Sequence, residues 1–355
     1  MLKKQLIEEI KSQKMISKRN KIKISRINNQ IRDFLNSSAI KKTDIYLKKQ
    51  EGCWDQFCAA LDTIGDTCLA INKFQENSEA YFTNNPYLLT YGLLQAMVLQ
   101  QNAVKYLKKS VLGKDINFKK NYPDLFQIRR LRNETIGHPI ETKIKGKNSE
   151  YNKNEITICT INRYSLTKEG FSYILWMCAK NKHKHIKFQK IIDLQEACLS
   201  IELFKILKEL ELEESKHKNI FKNKSLSKLT ENKSFYQVNL IYGLIWDDPL
   251  AWPSFEYCQN KYQKIKIGLE KRYGKFEDSL RISGTVELIK KLDYIFSKIS
   301  FLKKTKTLDK QECEIYVDAL SRNWNELNEH LIEVDSEFKI QKQKQLKSPE
   351  KKDVK

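Results

Sequence analysis

Three residues carry the clearest chemical reading in this chain: Arg132, Asn133 and His138, set as R-N-x4-H within residues 124–139, DLFQIRRLRNETIGHP. Histidine is the side chain that ordinarily titrates nearest neutrality, so it can take up and return a proton there. A guanidinium is planar, always charged and able to donate in parallel, which suits negative charge growing on phosphoryl oxygens. Together they fit metal-free cleavage of RNA. In that reaction the ribose 2′-OH attacks the adjacent phosphorus, the bond to O5′ breaks, and a 2′,3′-cyclic phosphate and a free 5′-OH remain. Asn133 is suited to orienting the imidazole, and Arg129, one turn before Arg132, to holding a phosphate.

A helix end must bring these groups together. On an ideal helix, residues six apart point about 120° away from each other. Gly137, by unwinding the last turn, brings His138 back towards Arg132, and a helix C-terminus favours a protonated imidazole. The sequence starts this helix at Tyr122-Pro123, buries Leu125, Ile128, Leu131 and Thr135, and stops it at Gly137-His138-Pro139, because the residue before Pro avoids helical geometry. Two long helices precede it. Trp54, Phe57, Leu61, Ile64, Cys68 and Ile71 recur at steps of three and four. Asn85-Pro86 then starts a second stripe through Leu89, Leu93, Met97, Val104, Leu107 and Val111 to Gly113. After the motif, residues 140–162 read as a β-hairpin or extended excursion, with β-branched EITICTI behind a turn-rich stretch. Helical spacing returns at Ile191, Leu194, Cys198, Ile201 and Phe204 and ends near Glu214.

The R-N-x4-H spacing at the end of a helix, closed by Gly-His-Pro, resembles the HEPN family of small helical bundles, common among prokaryotic toxins, abortive-infection proteins and RNA-guided effectors. The resemblance covers residues 51–214. It implies a mainly α fold, a HEPN-like bundle with a short β-hairpin insertion after the motif helix, and catalytic roles for Arg132, Asn133 and His138. It also implies a homodimer, since two such motifs usually meet across a composite groove, and a metal-independent endoribonuclease acting as a toxin or antiphage effector under a regulatory or antitoxin partner. Pro139 and Ile140 stand where one regulatory scheme of the family modifies a Tyr, so that scheme does not carry over. The alternative is a non-catalytic helical module that binds RNA or a partner protein, with Arg132 bridging Glu134 or Asp124 and His138 capping a helix end.

Around this domain the sequence places a basic helical segment at residues 1–50, a polar lysine-rich linker at 215–234, a second helical domain at 235–340 and a disordered basic tail at 341–355. The formal charge is +21, with a net of +10 in residues 1–50 and +8 in residues 143–190. Such fields attract polyanions, although a Lys-, Asn- and Ile-rich composition also follows from an AT-rich coding sequence. RNA is thus the expected partner, with Arg129, Lys143 and Lys145 as candidate contacts. No apolar run is long enough to span a bilayer and no secretion signal is visible, which points to a cytoplasmic protein and no membrane partner. The scattered cysteines read as small buried hydrophobes. No cofactor or metal is called for: His183-Lys184-His185 reads as a basic loop, and there is no phosphate-binding or dinucleotide-binding glycine motif. Arg322, Asn323 and His330 repeat the residue types at too wide a spacing and read as a solvated helix face. Asp247-Asp248-Pro249 reads as a helix–helix corner, and Tyr236, Tyr242 and Tyr257 as core.

Overall fold

The computed structural model describes residues 23–37, 53–137, 142–144, 155–176, 181–230, 233–274, 282–305 and 309–339. Within them the chain is mainly helical with one small antiparallel sheet, and it divides into two units, with the boundary between Leu210 and Glu211.

The first unit opens with α1 (Ile24–Ser37), whose Ile24, Ile27, Asn28 and Ile31 form a buried stripe. The Asn28 amide donates to the Leu61 carbonyl of α2 (Cys53–Glu76) at 3.2 Å. In α2 the expected stripe is buried, save that Trp54 stays exposed and stacks on Phe57. After the short α3 (Glu79–Asn84), α4 (Pro86–Leu112) begins on Pro86 and ends on Gly113 in the left-handed region, φ 61°. Pro fits the first turn because its missing N–H would have no helical partner, and Gly closes the helix at no steric cost.

A single turn, α5 (Phe118–Asn121), leads into α6 (Pro123–Arg132), which again starts on its Pro and buries Leu125, Ile128 and Leu131. Beyond Arg132 the helix widens into a π-turn over Asn133–Gly137. The sheet follows in the order β1 (Thr142–Ile144), β2 (Glu155–Ile161), β3 (Gly170–Trp176) and β4 (Lys182–Lys187), every pair antiparallel. The expected hairpin is therefore the first half of a four-stranded sheet, and His183, Lys184 and His185 stand on a strand rather than in a loop.

A long helix, α7 (Phe188–Phe221), follows, and its residues up to Leu210 belong to this unit. Phe74, Phe82, Phe171 and Phe188 join α2, α3, β3 and α7 through ring contacts of 5.1–6.3 Å. Polar pairs fix α7 against α4. Gln195 accepts from Gln101 at 2.8 Å and donates to Gln100 at 2.9 Å and to the Met97 carbonyl at 3.1 Å, all buried. Buried amides paired this way fix one axial register, since any slip leaves a donor without an acceptor. Glu202 likewise receives Lys108, Lys205 and the Tyr122 hydroxyl, which ties the start of α6 to α7.

The second unit contains α8 (Lys233–Leu240), α9 (Ala251–Tyr273), α10 (Ser283–Thr305) and α11 (Lys310–Phe338) around Phe255, Tyr262, Phe296 and Trp324. The segment read as a linker is structured. Helix α7 continues to Phe221, and Ser225, Leu226 and Ser227 bind the carboxylate of Asp335 in α11. Lysine-rich composition hid this, because the burial depends on a partner more than a hundred residues away. The Asp247 corner is present, with Asp247 at φ 58°, but Tyr236 is exposed rather than core. Of the basic segment at residues 1–50, only α1 and the residue before it are described; the tail at 341–355 lies outside the described residues. Among the described residues no helix is long and apolar enough to cross a membrane.

Candidate active site

Arg132 is the last residue of α6, half-buried beside α4. Its Nε and Nη2 donate to Oε1 of Gln95 at 3.0 and 2.9 Å, and its Nη1 donates to Oδ1 of Asn133 at 2.9 Å. One turn earlier, Arg129 donates to Oδ1 of Asn102 at 2.9 Å and more weakly to Gln101 at 3.5 Å, with its guanidinium 5.3 Å from the Phe118 ring. Gln95 and Asn102 are seven residues apart in α4, two helical turns, so they share one face. Both arginines are held by neutral amide oxygens. Among the described residues no carboxylate lies within ion-pair distance of either. Burial, then the neighbouring Arg132 charge, pulls Arg129 below the ordinary arginine pKa. Two guanidinium charges one helical turn apart in sequence, with no counter-ion among the described residues, suit an anion such as phosphate.

The carboxylate inside the motif has another task. Glu134 is buried, accepts from Arg130 at 2.6 Å and from the Tyr173 hydroxyl at 3.2 Å, and lies 3.5 Å from Lys184. Arg130, not Arg132, is thus its guanidinium partner, and Asp124 bridges neither. Burial first, then the Glu134 charge, pushes the Tyr173 hydroxyl well above the usual tyrosine range, so it remains a donor. Glu134 thereby pins the π-turn to β3 and β4. A cleft of about 240 Å³ opens beside it, with Arg130, Glu134, Tyr173 and Lys184 in its wall. Neither Arg129 nor Arg132 lines that cleft, so it lies apart from the guanidinium pair.

The end of the helix is unwound over the whole turn Asn133–Gly137 rather than at Gly137 alone. The Asn133 N–H reaches the carbonyls of both Arg129 and Arg130, and the Thr135 hydroxyl bonds the Leu131 carbonyl at 2.8 Å. This wider turn accommodates an extra residue, an irregularity often found where a helix presents functional groups. Gly137 consequently packs against the site: a Cβ there would stand 3.2 Å from Arg132 Nη1 and 3.6 Å from Asn133 Oδ1. His138 is the next residue, and successive Cα atoms are about 3.8 Å apart.

Of the residues singled out in the sequence, Arg132 and Asn133 are bonded to each other, and Arg129 lies one turn earlier on the same helix, held by Asn102. Asn133 accepts from Arg132, and the imidazole contact expected of it lies outside the described residues. Lys143 stands on β1 opposite Ile156, while His138 and Lys145 lie outside the described residues. Gln95 and Asn102 were missed, and Glu134 was named only as a partner of Arg132, whereas it pairs with Arg130. The first two had a signal, amides at a seven-residue interval on a helix face that otherwise carries Leu88, Tyr91, Leu99 and Tyr106. No known protein family, no curated protein and no solved structure matches this chain.

Proposed function

We propose that this chain is a metal-independent endoribonuclease of the HEPN type, acting as a homodimer in a toxin or antiphage role. The observation that carries the reading is the pair Arg129 and Arg132, oriented by Asn102 and Gln95 with no carboxylate partner among the described residues, and set against Gly137, the residue before His138, where an added Cβ would stand 3.2 Å from Arg132 Nη1. In this scheme His138 takes the proton from the ribose 2′-OH. The resulting oxygen bonds to phosphorus, the P–O5′ bond breaks, and O5′ leaves with a proton. Arg132 and Arg129 stabilise the charge on the non-bridging oxygens.

One imidazole per chain serves one end of this proton transfer, and a second copy supplies the other. The exposed face of α4 supports such a pairing. Leu88, Tyr91, Leu99 and Tyr106 are exposed there at helical spacing, on the same stripe as Gln95 and Asn102. Apolar side chains flanking charged catalytic groups are what a subunit seam requires.

The test is incubation of the purified protein with total RNA in excess EDTA, beside His138→Ala and Arg132→Ala. Cleavage by the wild type alone, leaving 2′,3′-cyclic phosphate ends, is the expected outcome. Undiminished cleavage by His138→Ala would remove the site assignment.

A further inference from the structure

The four-stranded sheet has two unlike faces, and the register separates them. Residues directly opposite on neighbouring strands share a face. Tyr173 and Lys184 are paired and turn towards Glu134, and Phe171 and Leu175 are buried on the same side. The alternate positions form the other face. Ile158 pairs with Trp176, Thr160 with Ile174, Ile174 with His183, and Ser172 with His185. Trp176 is 45% exposed and Ile158 44%, while His183, His185 and Lys187 are exposed. The Trp176 indole donates to Thr160 Oγ1 at 3.0 Å and Ser172 Oγ lies 3.0 Å from His185 Nδ1, so both rings are held in place. At the opposite end of the β2–β3 hairpin, the turn Arg163–Ser165 carries Tyr164, 91% exposed. No described side chain at these face positions is a carboxylate.

We propose that this outer face is a platform for single-stranded RNA, on which bases stack on Trp176 and the histidine rings while Arg163 and Lys187 take the phosphates. The proposal rests on the ribonuclease reading and names the surface that would carry its substrate. The chemistry favours RNA over a protein partner. A protein-binding face of this size would place apolar side chains at its centre. Here the central row is Thr160, Ile174 and His183, of which only Ile174 is apolar, with Trp176 at one end and Lys187, Arg163 and Tyr164 at the other. Rings at fixed positions offer stacking surfaces to any base, and flanking cations track the backbone. Four residue steps lead from Ile158, opposite Trp176, to Asn162 at the start of the Tyr164 turn, about 13 Å at 3.3 Å per residue. That length suits a run of nucleotides rather than a single one. Because Tyr173 and Lys184 alternate with these positions on the same strands, the platform is joined to the motif turn through one sheet layer.

The test is equilibrium binding of an unstructured oligouridine in which every ribose is 2′-O-methylated, so that 2′-OH attack is impossible, followed by fluorescence anisotropy in EDTA. Trp176→Ala and the double variant His183→Ala/His185→Ala should each weaken binding on the order of 10-fold, and Trp176→Phe should stay near wild type. Lys187→Ala should lower the salt slope by about 0.7, as expected for one phosphate contact on a single strand. Circular dichroism checks each fold. Wild-type affinity in a folded Trp176→Ala overturns the platform, and leaves the face to a protein contact. Cleavage of ordinary RNA is read separately. A wild type that binds through Trp176 yet cuts nothing in EDTA removes the ribonuclease reading and keeps the platform. A Trp176→Ala variant that binds and cuts like wild type removes the platform and keeps the ribonuclease.

Discussion

Two donors of Arg132, Nε and Nη2, converge on one oxygen of Gln95, at 3.0 and 2.9 Å. The acceptor is neutral, so the guanidinium is oriented without losing its charge to a counter-ion. A carboxylate in the same place would hold it more tightly, since charge-assisted hydrogen bonds are roughly twice as strong as neutral ones. It would also cancel the charge that a phosphate must meet. Gln95→Glu therefore separates positioning from charge. It should leave thermal stability unchanged or slightly raised, and slow RNA cleavage in EDTA by about 10- to 100-fold. Wild-type rates in this variant would show that the Arg132 charge takes no part.

Gly137 offers a second separation. Its φ is not positive, so alanine meets no backbone penalty there. An alanine in place of glycine within a helical turn is worth roughly 0.5–1 kcal/mol of added stability. The new Cβ, however, would stand 3.2 Å from Arg132 Nη1, close enough to push the guanidinium by a few tenths of an ångström. Gly137→Ala should melt no lower than wild type yet cleave about 10-fold more slowly, because catalytic electrostatics depend on such distances. The combination of a melting curve and a single-turnover rate checks it.

Glu134 should behave in the opposite way. Three donors, from Arg130, Tyr173 and Lys184, converge on a buried carboxylate that is bonded to neither Arg129 nor Arg132. Glu134→Ala leaves those donors without their acceptor and should destabilise the first unit by about 3 kcal/mol. Glu134→Gln keeps an acceptor and should recover much of that loss. Urea titration followed by the fluorescence of Trp54 and Trp176, with the other tryptophans replaced, measures both variants.

The parts of this arrangement that were legible in the sequence were those written in local chemistry. Pro86 and Pro123 mark helix starts and Gly113 a helix end because each acts through its own backbone. The core stripes of α2 and α4 follow from spacing alone. The π-turn was not legible, since it depends on how Glu134 is held from β3 and β4. Strand β3, GFSYILW, is a short apolar run that fits a helix as well as a strand. Strand β4, KHKHIK, has no β-forming composition except Ile186, and acquires its conformation by pairing with β3. Gln95 lies 37 residues from Arg132, so no motif centred on the arginine contains it.

The exposed stripe of α4 makes the proposed dimer testable at a position away from Gln95. Leu88 is 70% exposed and lies away from the Gln95 contact, so a charge there should cost the isolated chain little. At a buried subunit seam the same charge would be desolvated without a partner. Leu88→Glu should therefore shift sedimentation from dimer to monomer and reduce cleavage in proportion, while leaving the circular dichroism spectrum unchanged. A dimer that persists would place the seam elsewhere on the chain.

The second unit should respond to acid through Asp335. Its carboxylate receives Arg272 Nη1 at 2.8 Å, Ser225 Oγ at 2.6 Å and the N–H groups of Leu226 and Ser227 at 2.9 and 3.0 Å. Burial acts to raise its pKa, but these donors outweigh it and hold the group below its ordinary value of 3.8. A carboxyl depressed on folding contributes stability that is fully present above the unfolded pKa and lost as pH falls through the folded one. Protection of α11 amides from hydrogen exchange, corrected for intrinsic rate, should thus be level above about pH 5 and decline below about pH 4. Asp335→Ala leaves Arg272 buried between Phe221 and Phe338 without its anion, and should cost about 3–5 kcal/mol at neutral pH. The variant should also lose this part of the acid dependence. An equally steep decline in both proteins would assign the acid sensitivity to another carboxylate.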